Sequence, residues 1–493
     1  MALRIHNTMS GQKEPFVPLG DPVRFYCCGM TPKFDPHLGH AKLFVAMDVI
    51  RRHLRERGYT VRYVQNFTDV DDKIIARARR EGLDPETVAQ KYTDGYFRSM
   101  EALNVAPADV YPKATETISG IIAMIEGLIE RGFAYAPGNG DVYYRVSAFS
   151  SYGKLSHRTE DDVMAGARIA VEEKKEDPRD FALWKAAKEG EPRWPSPWGF
   201  GRPGWHIECS AMVREELGQQ IDIHAGGPDL IFPHHENEIA QSEAFTGREP
   251  FARYWVHIGQ LNVNNEKMAH SLENFTTVLE VLQHYHPAVL RLYFLSQHYR
   301  TPVNFTDDNL DANRRALERL ILARGNLTAM RRWEPLIQAR SGGGEPSPLA
   351  QSLGRQLERT RTDYFEAMDD DFNTAAALAT LFTLAREINR IKDGLDPASA
   401  GASLTALLDD TQQTMDRLLG LLGLQLPDAV SELTRGPADS SGTPDHEIEA
   451  LLAERNELRR QRRWADADAV RRRLADEGIV IEDRADGTVW RRT

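Results

Sequence analysis

Cysteine is scarce in this chain: three residues in 493, Cys27, Cys28 and Cys209. So few thiols exclude a disulfide framework and lead us to expect a reducing, cytoplasmic setting in which thiols are free to bind metal. Long apolar runs are missing too. No stretch approaches the ~18 residues needed to span a bilayer, and Met1 to His6 holds no apolar signal core, so no membrane association is expected. A basic excess is also lacking, since 61 Lys and Arg against 73 Asp and Glu leave a net charge of −12. That balance repels nucleic acid on average, so any such contact must be local. The tail from His446 to Thr493 has no lysine, yet holds eleven arginines against eleven acidic residues. No internal repeat is evident. What remains is an ordinary globular composition, 41% hydrophobic and 27% charged, long enough for about two to four domains.

The most informative segment is His37-Leu38-Gly39-His40. Behind it, Leu43, Met47, Ile50 and Leu54 recur at helical spacing, so Ala41 to Arg57 is expected as an amphipathic helix closed by Gly58. Arg24 to Cys28 before it and Thr60 to Val64 after it have the character of strands. This is a βαβ unit whose helix N-terminus offers free N–H groups to an anion. Two surface histidines near a helix start are the plainer alternative.

Breakers divide the rest. Ser341 to Pro346 is expected as a loop, and Pro427 to Pro444 as a flexible linker. Leu310, Leu317, Leu320 and Ile321, then Leu381, Leu384, Ile388 and Ile391, mark a helix bundle between Asp308 and Leu424. Before it, strands alternate with helices, as in a parallel α/β sheet. In the tail, Arg455, Arg459, Arg460, Arg462 and Arg463, then Arg471 to Arg473, line a helical pattern of leucines. They form either a solvated face or a basic surface for phosphates.

His234 and Glu238, four apart, share a helical face as two metal ligands would, with Cys209 upstream and Cys28 ending the first strand. Neighbours in a strand point to opposite faces, so only one of Cys27 and Cys28 can reach a shared site. Spacing alone leaves buried thiols and a capping histidine as another reading. Asn265 to Ser271, after the strand-like Trp255 to Gly259, is a polar loop carrying Lys267 and His270 that could clamp a polyphosphate.

Taken together these segments resemble the cysteinyl-tRNA synthetases, a class I aminoacyl-tRNA synthetase family, over nearly the whole chain. The likeness runs through Cys28 to Thr31, His37 to His40 (the family's HIGH element) and Asn66 to Ile74. It continues through Trp194 to Gly199, Gly204 to Met212, His224 to Glu238 and Gly487 to Arg492. The resemblance implies a Rossmann-type α/β parallel-sheet catalytic domain over 1–111 and 204–307, including the 267–271 loop, with an inserted domain at 112–203. A tRNA-binding helical bundle (308–426), a linker (427–445) and a small C-terminal α/β anticodon domain (446–493) would follow.

The activity implied is ATP-dependent activation of L-cysteine to cysteinyl adenylate and its transfer to the 3′ end of tRNA-Cys, with Mg2+ accompanying ATP. A monomer is expected. One zinc would be held by Cys28, Cys209, His234 and Glu238, leaving Cys27 structural. A soft thiolate suits zinc and a serine hydroxyl does not, so no editing domain is needed. His37, His40, Lys267 and His270 would be catalytic and bind ATP, together with Gly227 and Asp229. Gly29, Thr68, Trp205 and His224 would form the cysteine pocket. Trp490, Arg491 and Arg492 would meet the anticodon, a packed tryptophan being the alternative for Trp490.

One departure matters. The family's Lys-Met-Ser-Lys-Ser signature here is Lys267-Met268-Ala269-His270-Ser271, with a histidine in place of the second lysine. It motivates one rival, a weakly active or non-catalytic tRNA-binding paralogue. Another rival is a cysteine ligase of thiol biosynthesis, which would lack the C-terminal domain.

Overall fold

In the computed structural model the described residues are 2–158, 174–264, 266–267, 275–333, 347–395, 404–434, 445–461, 463–476, 479–484 and 487–492. Strands β1 (Val23–Met30), β2 (Val61–Phe67), β3 (Ile221–Gly226) and β4 (Ala252–His257) form a parallel sheet in the order β4-β3-β1-β2. Their residues are mostly buried, as a parallel sheet covered on both faces requires. Helix α1 (Leu38–Glu56) packs in the same core as Val23, Phe25 and Cys27. Tyr26 and Cys28 join the other core, with helices α2 (Trp205–Glu216) and α3 (Glu236–Thr246). The period of two therefore separates Cys27 from Cys28, as the strand pattern requires.

Helix α1 begins three residues earlier than the apolar spacing implies, because His37 caps it: its ring Nδ1 accepts from the His40 N–H at 3.2 Å. Strand β4 ends before Gly259, which packs tightly on the Arg300–Thr301 backbone. A Cβ at Gly259 would lie 2.3 Å from Arg300 O.

Within 112–203, strands Ala134–Tyr135, Val142–Tyr144, Phe181–Ala186 and Gly201–Pro203 make an antiparallel sheet. Its Tyr144 and Trp184 share a core with Cys28 and Cys209. Helices Asp307–Arg331, Pro348–Asp369, Thr374–Gly394 and Leu404–Leu421 form the expected bundle, with the leucines and isoleucines named for it all buried. It is tied to the catalytic domain by buried charge. Asp48 of α1 pairs with Arg51, Arg52 and Arg291, while Arg291 Nε donates to Leu422 O at 2.8 Å. Asp369 of the bundle likewise takes His53 and Arg57 of α1 and its C-cap.

The expected loop at 341–346 lies outside the described residues, as does 435–444 of the linker. The linker's first part is not free coil: Val430–Thr434 is a 3-10 turn with Leu433 buried. The C-terminal region is two helices, Asp445–Arg460 and Trp464–Asp476, and an antiparallel hairpin, Ile479–Arg484 with Gly487–Arg492. Ile448, Leu452, Leu474, Ile479 and Ile481 form its core. Arg455 is buried there, which neither reading of the arginine run expects, while Arg471 to Arg473 are exposed, as both readings require. Among the described residues no helix is long and apolar enough to cross a membrane.

Candidate active site and metal centre

The end of β1, the start of α2 and the turn into α3 bring four donors together. Cys28 Sγ lies 4.0 Å from Cys209 Sγ and 3.6 Å from Glu238 Oε1, and His234 Nε2 lies 3.0 Å from Glu238 Oε1. All four residues are buried, with donor atoms within 4.8 Å of one another. Ligand atoms around a tetrahedral zinc lie about 3.3–3.8 Å apart, so the spacing and the mixed S/N/O donors are compatible with zinc. His234 precedes the regular part of α3, on a π-type turn, rather than sharing one straight helix with Glu238.

The four groups hold their protons unevenly. Burial and the Cys209 charge raise the Cys28 thiol well above its ordinary value. Cys209 goes the other way, to about 6, because Cys28 donates to it and His234 lies close, outweighing burial. Burial would lower His234, but Glu238 and Cys209 raise it to about 10. Glu238 is lowered to about 2, since His224 and His234 more than offset burial.

A second tier of imidazoles supports these donors. His224 Nε2 meets Glu238 Oε2 at 2.9 Å, and the Nδ1 atoms of His206 and His234 are 2.9 Å apart. His235 Nε2 approaches Cys28 Sγ at 3.3 Å while its Nδ1 meets His257 Nε2 at 2.8 Å, and His257 Nδ1 meets Thr8 Oγ1 at 2.8 Å. Cys28, His224, His235 and Glu238 thus form a second, overlapping donor cluster. Burial and neighbouring imidazoles keep His235 low, and burial with His224 holds His257 near about 3. His206, His235, His257 and Thr8 were not singled out from the sequence. The sequence signal was slight: His206 and His235 fall inside segments that carry the family likeness, whereas His257 and Thr8 do not.

The turn at His37 to His40 is equally definite. The His37 and His40 rings stack with centroids 3.6 Å apart, and Phe275 stands edge-on to His37 at 5.2 Å. His40 is half-buried; desolvation, with the charge of Lys33, lowers it to about 3. Its Nδ1 has no hydrogen-bond partner among the described residues. Backbone bonds from Leu38 N to Thr276 O (3.3 Å) and Val278 N to Pro36 O (2.9 Å) tie this turn to the chain just after the 267–271 loop. Lys267 ends a short strand paired with Asn262. His270 lies outside the described residues.

The other sequence candidates fall around these two centres. Gly29 N donates to Asn66 Oδ1 at 2.8 Å, and a Cβ there would sit 1.6 Å from Asn66 O, so only glycine lets the strands close. Thr68 is buried just after β2. Trp205 is not a core residue: it is 38% exposed and stacks on His234 at 4.5 Å. His224 is fully buried against Trp255. Gly227 and Asp229 follow β3 at the strand carboxyl ends, where α/β sheets bind ligands. Trp490 is half-buried against the C-terminal core. Arg491 and Arg492 lie on the last strand.

A parallel sheet whose first helix starts on stacked histidines, with a buried Cys/His/Glu cluster that could hold a metal, is the arrangement of a class I aminoacyl-tRNA synthetase catalytic domain. Comparison with known proteins agrees. The family profile described as tRNA synthetases class I (C) catalytic domain matches residues 16–315. A DALR domain matches 363–427 and a cysteinyl-tRNA ligase anticodon binding domain matches 444–491. The chain is 50% identical over 492 residues to the cysteine–tRNA ligase of Alkalilimnicola ehrlichii, covering 99% of this chain and 100% of that one. It is 47% identical over 490 residues to that of Dehalococcoides mccartyi, covering 99% of both. The fold is shared with Mycobacterium tuberculosis methionyl-tRNA synthetase in complex with methionyl-adenylate, with TM-score 0.63 and 16% identity over 84% of this chain and 93% of that one. The chain belongs to the cysteinyl-tRNA synthetase family.

Proposed function

We propose that this enzyme activates L-cysteine with Mg-ATP to cysteinyl adenylate and transfers the cysteinyl group to the 3′ end of tRNA-Cys. The observation that carries the reading is the convergence of Cys28, Cys209, His234 and Glu238 beside the histidine-capped start of α1. Full-length likeness to cysteine–tRNA ligases supports it and leaves the thiol-biosynthesis and non-catalytic alternatives without support.

One zinc would be held by Cys28, Cys209, His234 and Glu238. This is the set that the family motifs carry; His234 turns its Nε2 to the cluster while His206 holds its Nδ1, and the Nε2 of His224 is already taken by Glu238. When bound, the ion supplies a soft Lewis-acid contact that selects a thiolate over a hydroxyl. Trp205, covering His234, closes the pocket with Gly29, Thr68 and His224. His37, His40 and the positive end of the α1 dipole receive the α-phosphate as its charge grows, and Lys267 and His270 would approach from the loop. Gly227 and Asp229 hold the adenosine ribose or the substrate amino group. The substrate carboxylate is already ionised near neutral pH, so the protein's work is positioning and charge stabilisation.

The bundle (308–426) and the C-terminal domain (446–493) would carry the tRNA. Trp490, half-buried against the C-terminal core, and Arg491 and Arg492 beside it on the last strand are then the candidates for anticodon contact. Charging of tRNA-Cys with radiolabelled cysteine tests the reading. Cysteine-specific charging is expected, and its absence with intact, zinc-loaded protein would contradict it.

A further inference from the structure

Two lysines that the mechanism leaves unused meet between the phosphate turn and the sulfur site. Lys33 stands four residues ahead of His37, with Nζ 5.0 Å over the Phe34 ring. Phe34 in turn lies along His37 and His40, at centroid distances of 6.0 and 6.3 Å. Lys73, in the first turn of the helix Asp72–Glu81, has Nζ 5.9 Å over Trp205, which stacks on His234. The two side chains are close enough that burial and the Lys73 charge together lower Lys33 to about 8, with the Asp71 carboxylate acting the other way. Among the described residues neither ammonium forms an ion pair.

Lys33 is half-buried and Lys73 exposed; their like charges repel, and an anion between them turns that repulsion into attraction. His40, lowered to about 3, is neutral at physiological pH, so it can donate a hydrogen bond but not a charge. The 267–271 segment contributes a single lysine, Lys267. Apart from the Mg2+ that accompanies ATP, further positive charge at the phosphates must then come from elsewhere in the chain.

We infer that Lys33 and Lys73 form a two-cation site for the triphosphate of ATP, with Lys33 supplying beside His40 a positive charge that the 267–271 loop does not. This rests on the ATP-dependent activation proposed above.

Cysteine-dependent ATP–pyrophosphate exchange, which needs no tRNA, tests it in the full-length zinc-loaded enzyme. Lys33→Met should lower kcat for exchange about 100-fold, the usual loss on removing one transition-state donor, with KM for cysteine and zinc content unchanged. Lys33→Arg should restore all but about tenfold of it, since charge is retained. Lys73→Met, at an exposed position that leaves the core intact, should cost about tenfold. Exchange at the unaltered rate in Lys33→Met and Lys73→Met would overturn the site. So would a loss confined to tRNA charging, which would place both lysines on tRNA phosphates. Failure of the unaltered enzyme to exchange would overturn the activation reading itself, and is thus distinguishable.

Discussion

Glu238 Oε2 lies 2.9 Å from His224 Nε2, with both groups fully buried, and this turns the other oxygen, Oε1, toward His234 and Cys28. A carboxylate held in this way is a ligand already aimed. His224→Ala should leave the fold intact but weaken zinc binding about 10- to 100-fold, as loss of an outer-shell partner generally does. Competition for zinc against a chromophoric chelator would measure it. Unchanged affinity would show that the contact does not orient Glu238.

Metal loading should release protons. In the metal-free cluster Cys28 is raised, hence a thiol, and His234, raised to about 10, is an imidazolium, whereas Cys209, lowered to about 6, is already a thiolate near neutral pH. Zinc needs deprotonated ligands. About two protons should therefore leave per zinc at pH 7 to 8, and the apparent affinity should rise about 100-fold per pH unit there. Calorimetry in buffers of different ionisation enthalpy counts them; release of none would contradict this assignment.

The histidine at 270 should set a pH dependence. With an unperturbed pKa of about 6.5 it is charged only on the acid side of neutrality. Pyrophosphate exchange should rise as pH falls from about 8 to 6, and His270→Lys should be faster and flatter over that window. Equal rates in both proteins across it would exclude a role for His270.

The buried Asp48 cluster should govern acid stability. Burial would raise Asp48, but Arg291, Arg52 and Arg51 lower it below its ordinary value. A depressed carboxylate contributes stability above its unfolded pKa of about 3.9, and that contribution is lost as pH falls through the lower folded value. Asp48→Ala should cost about 3 kcal/mol at pH 7, because Arg291 stays buried without its partner, and should flatten the loss of stability below about pH 4. Urea unfolding at pH 7 and at low pH would test both.

Much of this was legible in the sequence where the information is local. The helix after His37, the split between Cys27 and Cys28, and the bundle leucines follow from periods of 3.6 and two that a single segment displays. The proposed metal donors needed the resemblance, because Cys28 and Cys209 are 181 positions apart. Of the supporting imidazoles only His224 was named from the sequence, and then for the cysteine pocket and not for its bond to Glu238. His257 bonds to Thr8 across 249 positions, and His206 reaches His234 across 28, contacts that only the folded sheet creates. Asp48 and Arg291 are separated by 243 positions, so nothing in the local spacing shows that a charged residue on the α1 stripe is buried and paired.

The most direct test of the zinc-based reading of cysteine is pyrophosphate exchange with cysteine and with serine, using zinc-stripped and zinc-restored enzyme. Metal content would be verified and folding checked by circular dichroism. Expected is exchange with cysteine alone, lost on stripping while the fold persists, and regained with zinc. Undiminished cysteine-dependent exchange by protein shown to hold no metal would contradict it.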